Sequence, residues 1–164
     1  MISSDIFRKS KEEEVVGELR KNGINIEIMK MNVGDFAWIC REIPKADPRR
    51  HRLTISRGKS LVLPFIVERK RADDLASSIK DGRFHEQKLR LSQTGMKIIY
   101  LIEALAYAKS NYGLGDNVLS QAVVNTQIVD GFLVHETHTI KDTCAYLTHM
   151  TRQLTKMYQV CAEV

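Results

Sequence analysis

Two acids and a lysine stand where their types could act together on a phosphodiester. Asp35 follows Gly34 at the entry to an apolar segment, and Glu68 leaves another apolar segment two residues before Lys70. In an extended backbone side chains repeat every second residue, so Glu68 and Lys70 face one side and Arg69 the other. If the two segments pair as neighbouring strands, Asp35 approaches Glu68 and the two carboxylates can share a cation. Hard divalent ions take carboxylate oxygens and keep several waters, which suits Mg2+. Such an ion polarises a phosphodiester and lowers the pKa of a bound water, while a lysine beside it orients that water or stabilises the developing phosphorane charge. Spacing alone fits an ordinary sheet-edge ion pair between Glu68 and Lys70 better than it fits a metal site.

The elements around these residues decide whether they can meet. Ser10 with Glu13 forms a capping box, and Val15, Val16 and Leu19 recur at helical spacing until Gly23. Ile24, Ile26 and Ile28 alternate as in a strand, and residues 36–40 form a second strand. Residues 61–67 read as a third, nearly continuous in apolar side chains and so expected to be buried on both faces, ending in the charged run 68–71. Asp73 or Asp74 opens a short helix to about Lys80. A further helix spans residues 84–93 and ends at Gly95, and residues 97–103 (KIIYLIE) read as a central strand. Residues 104–115 are loop-like, 117–129 helical and 132–134 a short strand. Thr139 with Asp142 caps a long final helix. The expected fold is α/β, a mixed central sheet flanked by helices, in one domain over residues 1–164.

The 164 residues suffice for one domain with a real core, and 43% apolar with 27% charged residues excludes disorder and collagen-like repeats. No apolar run reaches the roughly 18 residues needed to cross a bilayer, and the first residues lack the apolar core of a secretory signal. Cys40, Cys144 and Cys161 are far apart and odd in number, which argues for a reducing compartment, cytosolic or nuclear. The net charge of +5 is concentrated. Residues 41–59 hold seven Lys or Arg, among them Arg49, Arg50 and Arg52, against Glu42 and Asp47, an excess equal to that whole charge. With Pro44, Pro48 and Gly58 this stretch reads as an exposed basic loop able to release counterions from a polyanion. Its composition fits a solvated loop with no ligand equally well.

Residues 68–74 (ERKRADD) contain ERKxxxD, the signature of the XPF-type structure-specific endonucleases. Residues 32–39 (NVGDFAWI), 66–91 (IVERKRADDLASSIKDGRFHEQKLRL), 100–103 (YLIE) and 121–132 (QAVVNTQIVDGF) resemble the Mus branch of that family, as does AYLTHMTRQLTKMY near the end. The resemblance covers nearly everything from about Glu14 to Tyr158. It implies a restriction-endonuclease-like fold and Mg2+-dependent nicking of branched DNA (3′ flaps, replication forks, nicked Holliday junctions), with Mn2+ able to substitute. It also implies a heterodimer with a non-catalytic EME-type subunit and a place in the nucleus, in DNA repair and recombination. By position, Asp35 matches the acid of the family's GD element, Glu68, Arg69 and Lys70 the ERK, and Asp74 the closing Asp. Asp35 and Glu68 are thereby the metal ligands. Arg69 takes an orienting role, held by an acid, and Asp73 and Glu86 support the site from behind. Arg83, Gln87 and Arg90 line the same cleft toward DNA, with Arg83 the first candidate for a phosphate, joined by Arg49, Arg50 and Arg52 of the basic loop.

The chain departs from the family's pattern at its first strand, where relatives supply a VDxxET-like segment. Here the only candidate is Ser3-Ser4-Asp5-Ile6-Phe7, with no matching Glu: either Asp5 stands for the first Asp, as a further metal ligand, or the strand is shortened, and in both cases the metal site reads as one or two ligands short. Ala104-Leu105 replaces a further acid. The family's helix-hairpin-helix module is expected after Val164, outside this sequence, and the chain alone is expected to bind DNA weakly and with strong salt sensitivity. A non-catalytic DNA-binding or scaffolding subunit is the rival reading, and a self-sufficient homodimeric resolvase a third. His135 and His138 read as surface histidines without a third ligand. Phe36 and Trp38 read as core, and Tyr146, Met150, Met157 and Tyr158 as core or a seam for a partner.

Overall fold

The structure is a computed structural model that describes residues 2–8, 13–42, 60–104 and 116–161. Residues 43–59 of the basic loop, including Arg49, Arg50 and Arg52, lie outside the described residues, as does Ser10, whereas Arg41 and Glu42 are not loop but the end of a strand. Six strands, β1 (Ile2–Arg8), β2 (Ile26–Ile28), β3 (Phe36–Glu42), β4 (Ser60–Arg71), β5 (Lys97–Glu103) and β6 (Leu133–Thr137), form one sheet. Their order is β2-β1-β3-β4-β5-β6. The helices are α1 (Glu13–Lys21), α2 (Ala72–Lys80), α3 (Arg83–Ser92), α4 (Asp116–Ile128) and α5 (Ile140–Cys161). The sheet is mixed: β1 lies antiparallel to β3 and β3 to β4, while β1–β2, β4–β5 and β5–β6 are parallel. Among the described residues no helix is long and apolar enough to cross a membrane.

Strand alternation divides the core in two. One cluster takes Phe36, Trp38, Leu63, Val67, Ile99 and Leu101 of the sheet against Val15 and Leu19 of α1 and Cys144, Leu147 and Leu154 of α5. The other takes Ile66, Ile98, Tyr100 and Ile102 against Leu75 of α2, Phe84 and Leu91 of α3 and Leu119 of α4. Phe36 and Trp38 are core, fully buried, and the Trp38 indole N–H donates to Thr151 Oγ1 at 2.9 Å, tying β3 to α5. Tyr146, Met150 and Tyr158 pack against the first cluster, and Met157 is exposed. The long helix begins as its sequence dictates: the backbone N–H of Asp142 donates to Thr139 Oγ1 (3.2 Å) and that of Thr139 to Asp142 Oδ2 (3.1 Å).

Three expectations change. The segment around Asp5, absent from the expected order of elements, is a seven-residue strand between β2 and β3, with Asp5 in register opposite Ile39. β4 does not stop before its charged run; it continues through Glu68, Arg69 and Lys70 to Arg71 because β5 pairs with it throughout. Nor is β4 buried on both faces over its whole apolar stretch, since Leu61 (59%) and Val62 (48%) are exposed. Pro64 sits mid-strand where the β3–β4 register shifts, from Ala37↔Ile66 to Ile39↔Val62. A proline cannot donate to a ladder, so an irregularity is where a central strand tolerates one.

Candidate active site

β4 outruns β3. Phe36 pairs with Val67, and beyond that point residues 68–71 of β4 keep β5 on one side only. Asp35, just before β3, fills the other side. Its backbone N–H donates to Val67 O (2.8 Å), and its Oδ2 accepts the Arg69 backbone N–H (2.9 Å), which lies past the β3 pairing. The carboxylate of Asp35 therefore rests against the Glu68–Arg69 peptide. The sheet margin thus sets the Asp35 carboxylate beside the backbone of Glu68.

Alternation then divides the ERK side chains between the two layers, Glu68 and Lys70 to one and Arg69 to the other. Lys70, on the α2/α3 side, is buried, and its Nζ donates to Oε1 of Gln87 in α3 at 2.8 Å. Arg69 points the other way, into a buried fork with Glu103 of β5: Nε–Oε2 is 3.0 Å and Nη2–Oε1 2.8 Å, with both side chains under a tenth exposed. Thr143 of α5 donates to Glu103 Oε2 (2.9 Å) and shares a hydrogen bond with Thr137 of β6. The acid that holds Arg69 is thus Glu103, to which sequence reasoning assigned no part. A charge closing the apolar run KIIYLIE beside a strand ending in ERK was the available signal.

Tyr100 also escaped notice. It stands opposite Glu68 in register, 1% exposed, and its hydroxyl has no hydrogen-bond partner. Burial pushes its phenol well above the ordinary tyrosine value, and the carboxylates of Glu68, Asp35 and Asp130 push it further.

The remaining candidates divide. Asp73 and Asp74 occupy the first turn of α2, where Asp73 Oδ1 takes the Arg71 Nε (3.2 Å) and the Asp74 N–H (3.0 Å), and Asp74 is exposed. Gln87 is brought to Lys70. Arg83, Glu86 and Arg90 line the exposed side of α3, Arg83 paired with Asp81 (2.6 Å) and Arg90 with Glu86 (3.7 Å). Asp5 is placed by its backbone alone. Among the described residues no three His, Cys, Asp or Glu side chains gather as a metal cage. Two carboxylates still fit Mg2+, which binds through one or two protein carboxylates, water and phosphate oxygens, and do not fit a structural zinc.

The ERCC4 domain matches residues 3–150. Similar curated proteins include the structure-specific endonuclease subunit MUS81 of Danio rerio, 47% identical over 152 residues, 92% of this chain, and that of Homo sapiens, 44% identical over 147 residues, 89% of this chain. The crossover junction endonuclease mus81 of Emericella nidulans is 41% identical over 158 residues, 92% of this chain. The chain spans about a quarter of each relative's length, 25%, 25% and 23% respectively. Among solved structures, XPF from Aeropyrum pernix superposes with a TM-score of 0.70 at 20% identity, over 98% of this chain and 69% of that one. Its complex with DNA gives 0.69 at 22%, over 93% and 65%. At those identities the likeness shows the fold, which is restriction-endonuclease-like. The GD and ERK residues that meet at the end of β4 lie inside the matched span, and the chain belongs to the ERCC4-domain family.

Proposed function

We propose that the chain is the nuclease domain of a metal-dependent, structure-specific DNA endonuclease. It nicks branched DNA such as 3′ flaps, replication forks and nicked Holliday junctions in nuclear repair and recombination. The observation that carries this reading is the Asp35 carboxylate seated on the Arg69 N–H beside Glu68, with Lys70 fixed on the Glu68 side by Gln87.

In this reading Asp35 and Glu68 hold the Mg2+, which when bound supplies a polarised phosphodiester and a more acidic water. Lys70, its ammonium steadied by Gln87, orients that water or meets the charge developing on the phosphoryl oxygens. Arg69 and Glu103 keep β4 in place from the opposite layer. Arg83 and Arg90, with the basic loop, meet phosphates, and Asp74 completes the signature at the start of α2. The names of the curated relatives support the substrate class, since they are called structure-specific or crossover junction endonucleases. Partnership with an EME-type non-catalytic subunit is supported by the word subunit in the names of the Danio rerio and Homo sapiens relatives and by Ile128, Val129 and Leu133, each more than half exposed on or near edge strand β6.

Alanine at Asp35 or at Lys70 is expected to abolish cleavage of a 3′-flap substrate while circular dichroism shows the fold retained. Cleavage that survives either change would contradict these roles. The scaffolding alternative draws on the lack of a three-ligand cluster among the described residues. Titration calorimetry with Mn2+ separates the two, because a scaffold need bind no ion.

A further inference from the structure

Buried hydroxyls nearly always find a partner, and leaving one without costs much of its desolvation penalty. Among the described residues the Tyr100 hydroxyl is the buried side-chain polar atom that has none. Its place is not incidental. Tyr100 is paired in register with Glu68, and its ring meets that of Phe84 edge-on, centroids 6.3 Å apart at 80°. Phe84 lies in the first turn of α3, the helix whose Gln87 holds Lys70. The ring is clamped among Ile66, Leu75 and Phe84, and residues opposite one another in a parallel pair project to the same face, so Tyr100 stands on the face from which Glu68 and Lys70 project.

We propose that Tyr100 is a positioning residue of the carboxylate site, its hydroxyl kept without a protein partner so that it can engage the water shell of a divalent ion held by Asp35 and Glu68. A hydroxyl satisfied inside the protein could not serve that shell. An apolar ring without it would fill the same core volume and leave the shell a donor short. Groups that hydrogen-bond the surroundings of a bound ion typically govern its affinity by 10–100-fold. This inference rests on reading Asp35 and Glu68 as the ligands.

The test uses the whole chain, with Mn2+ as the probe, in the wild type, Y100F and D35N. Titration calorimetry measures the ion, and thermal unfolding is followed in chelator without metal. Y100F is expected to melt about 2–4 °C higher than the wild type without metal, because the unsatisfied hydroxyl is gone. It is also expected to bind Mn2+ about ten-fold more weakly. A merely structural tyrosine would leave the Mn2+ affinity unchanged, whatever its effect on melting. Y100F that melts lower than the wild type without metal, or that binds Mn2+ equally well, overturns the inference. If D35N weakens binding and Y100F does not, the inference fails and the ligand assignment stands. If wild type and D35N bind alike, the ligand assignment fails and takes the inference with it.

Discussion

Gly34 adopts φ +78°, and a Cβ added there would lie 2.2 Å from Ile66 Cγ2 and 3.4 Å from Val67 O. That close approach lets the next residue, Asp35, reach Val67 O and Arg69 N with its backbone and carboxylate. Gly34→Ala is expected to cost about 1–3 kcal/mol in thermal unfolding and to cut flap cleavage by more than roughly ten-fold, as small misplacements of catalytic groups do. A second residue-scale consequence concerns pH. Tyr100 is held neutral in the fold by burial, with Glu68, Asp35 and Asp130 adding to the effect. Unfolded, it would ionise near about 10. Its folded-state value being the higher, this stability is intact below that pH and drains away as pH rises through it. Urea midpoints measured from pH 8 to 11 should therefore fall more steeply above about pH 10 in the wild type than in Y100F. At this scale the placement of Asp35 beside the charged end of β4 was legible, because strand parity and the pairing of β3 with β4 bring it there, while the reading of Asp35, Glu68 and Lys70 as a site came from the ERKxxxD resemblance. Tyr100 and Glu103 were not legible, because an apolar strand reads as core and the residues they face on β4, Glu68 and Arg69, lie more than thirty positions away.

The element that matters most is β4, and its surprise was its length. Charges at 68–71 look like the end of a strand when each is imagined facing water. Here Lys70 has Gln87, Arg69 has Glu103 and Arg71 has Asp73, so β4 keeps pairing with β5 to Arg71. β1 was missed from the element order for a similar reason. ISSDIFR lacks a clean hydrophobic alternation, and its strand character comes from β2 and β3 on either side. Helix ends and β5, by contrast, were readable from Thr139 with Asp142, from Gly95 and from KIIYLIE. The Arg69–Glu103–Thr143 chain joins β4, β5 and α5 out of water. Glu103→Ala strands a buried guanidinium and is expected to destabilise by about 3–5 kcal/mol in denaturant unfolding. Thr143→Val removes two buried hydrogen bonds, to Glu103 and to Thr137, and should cost about 1–3 kcal/mol.

For the whole molecule, a mixed sheet between two helical layers was foreseeable from the order of segments, since apolar strands alternating with amphipathic helices have few other ways to cover both faces. The partition into two cores was not, because it depends on which strand neighbours which. The concentrated positive charge has a measurable outcome. Affinity for a forked DNA should be weak and should fall at least about ten-fold between 50 and 200 mM salt, read by fluorescence anisotropy. A response flat in ionic strength would contradict an electrostatic mode.

β6 closes one end of the sheet, with Leu133 exposed on it and Ile128 and Val129 beside it. A strand whose outer hydrogen-bonding groups face solvent next to greasy side chains is a template for unwanted cross-strand growth. When purified by itself at high concentration, the polypeptide should therefore clump through this end first, and Leu133→Lys should keep it dispersed.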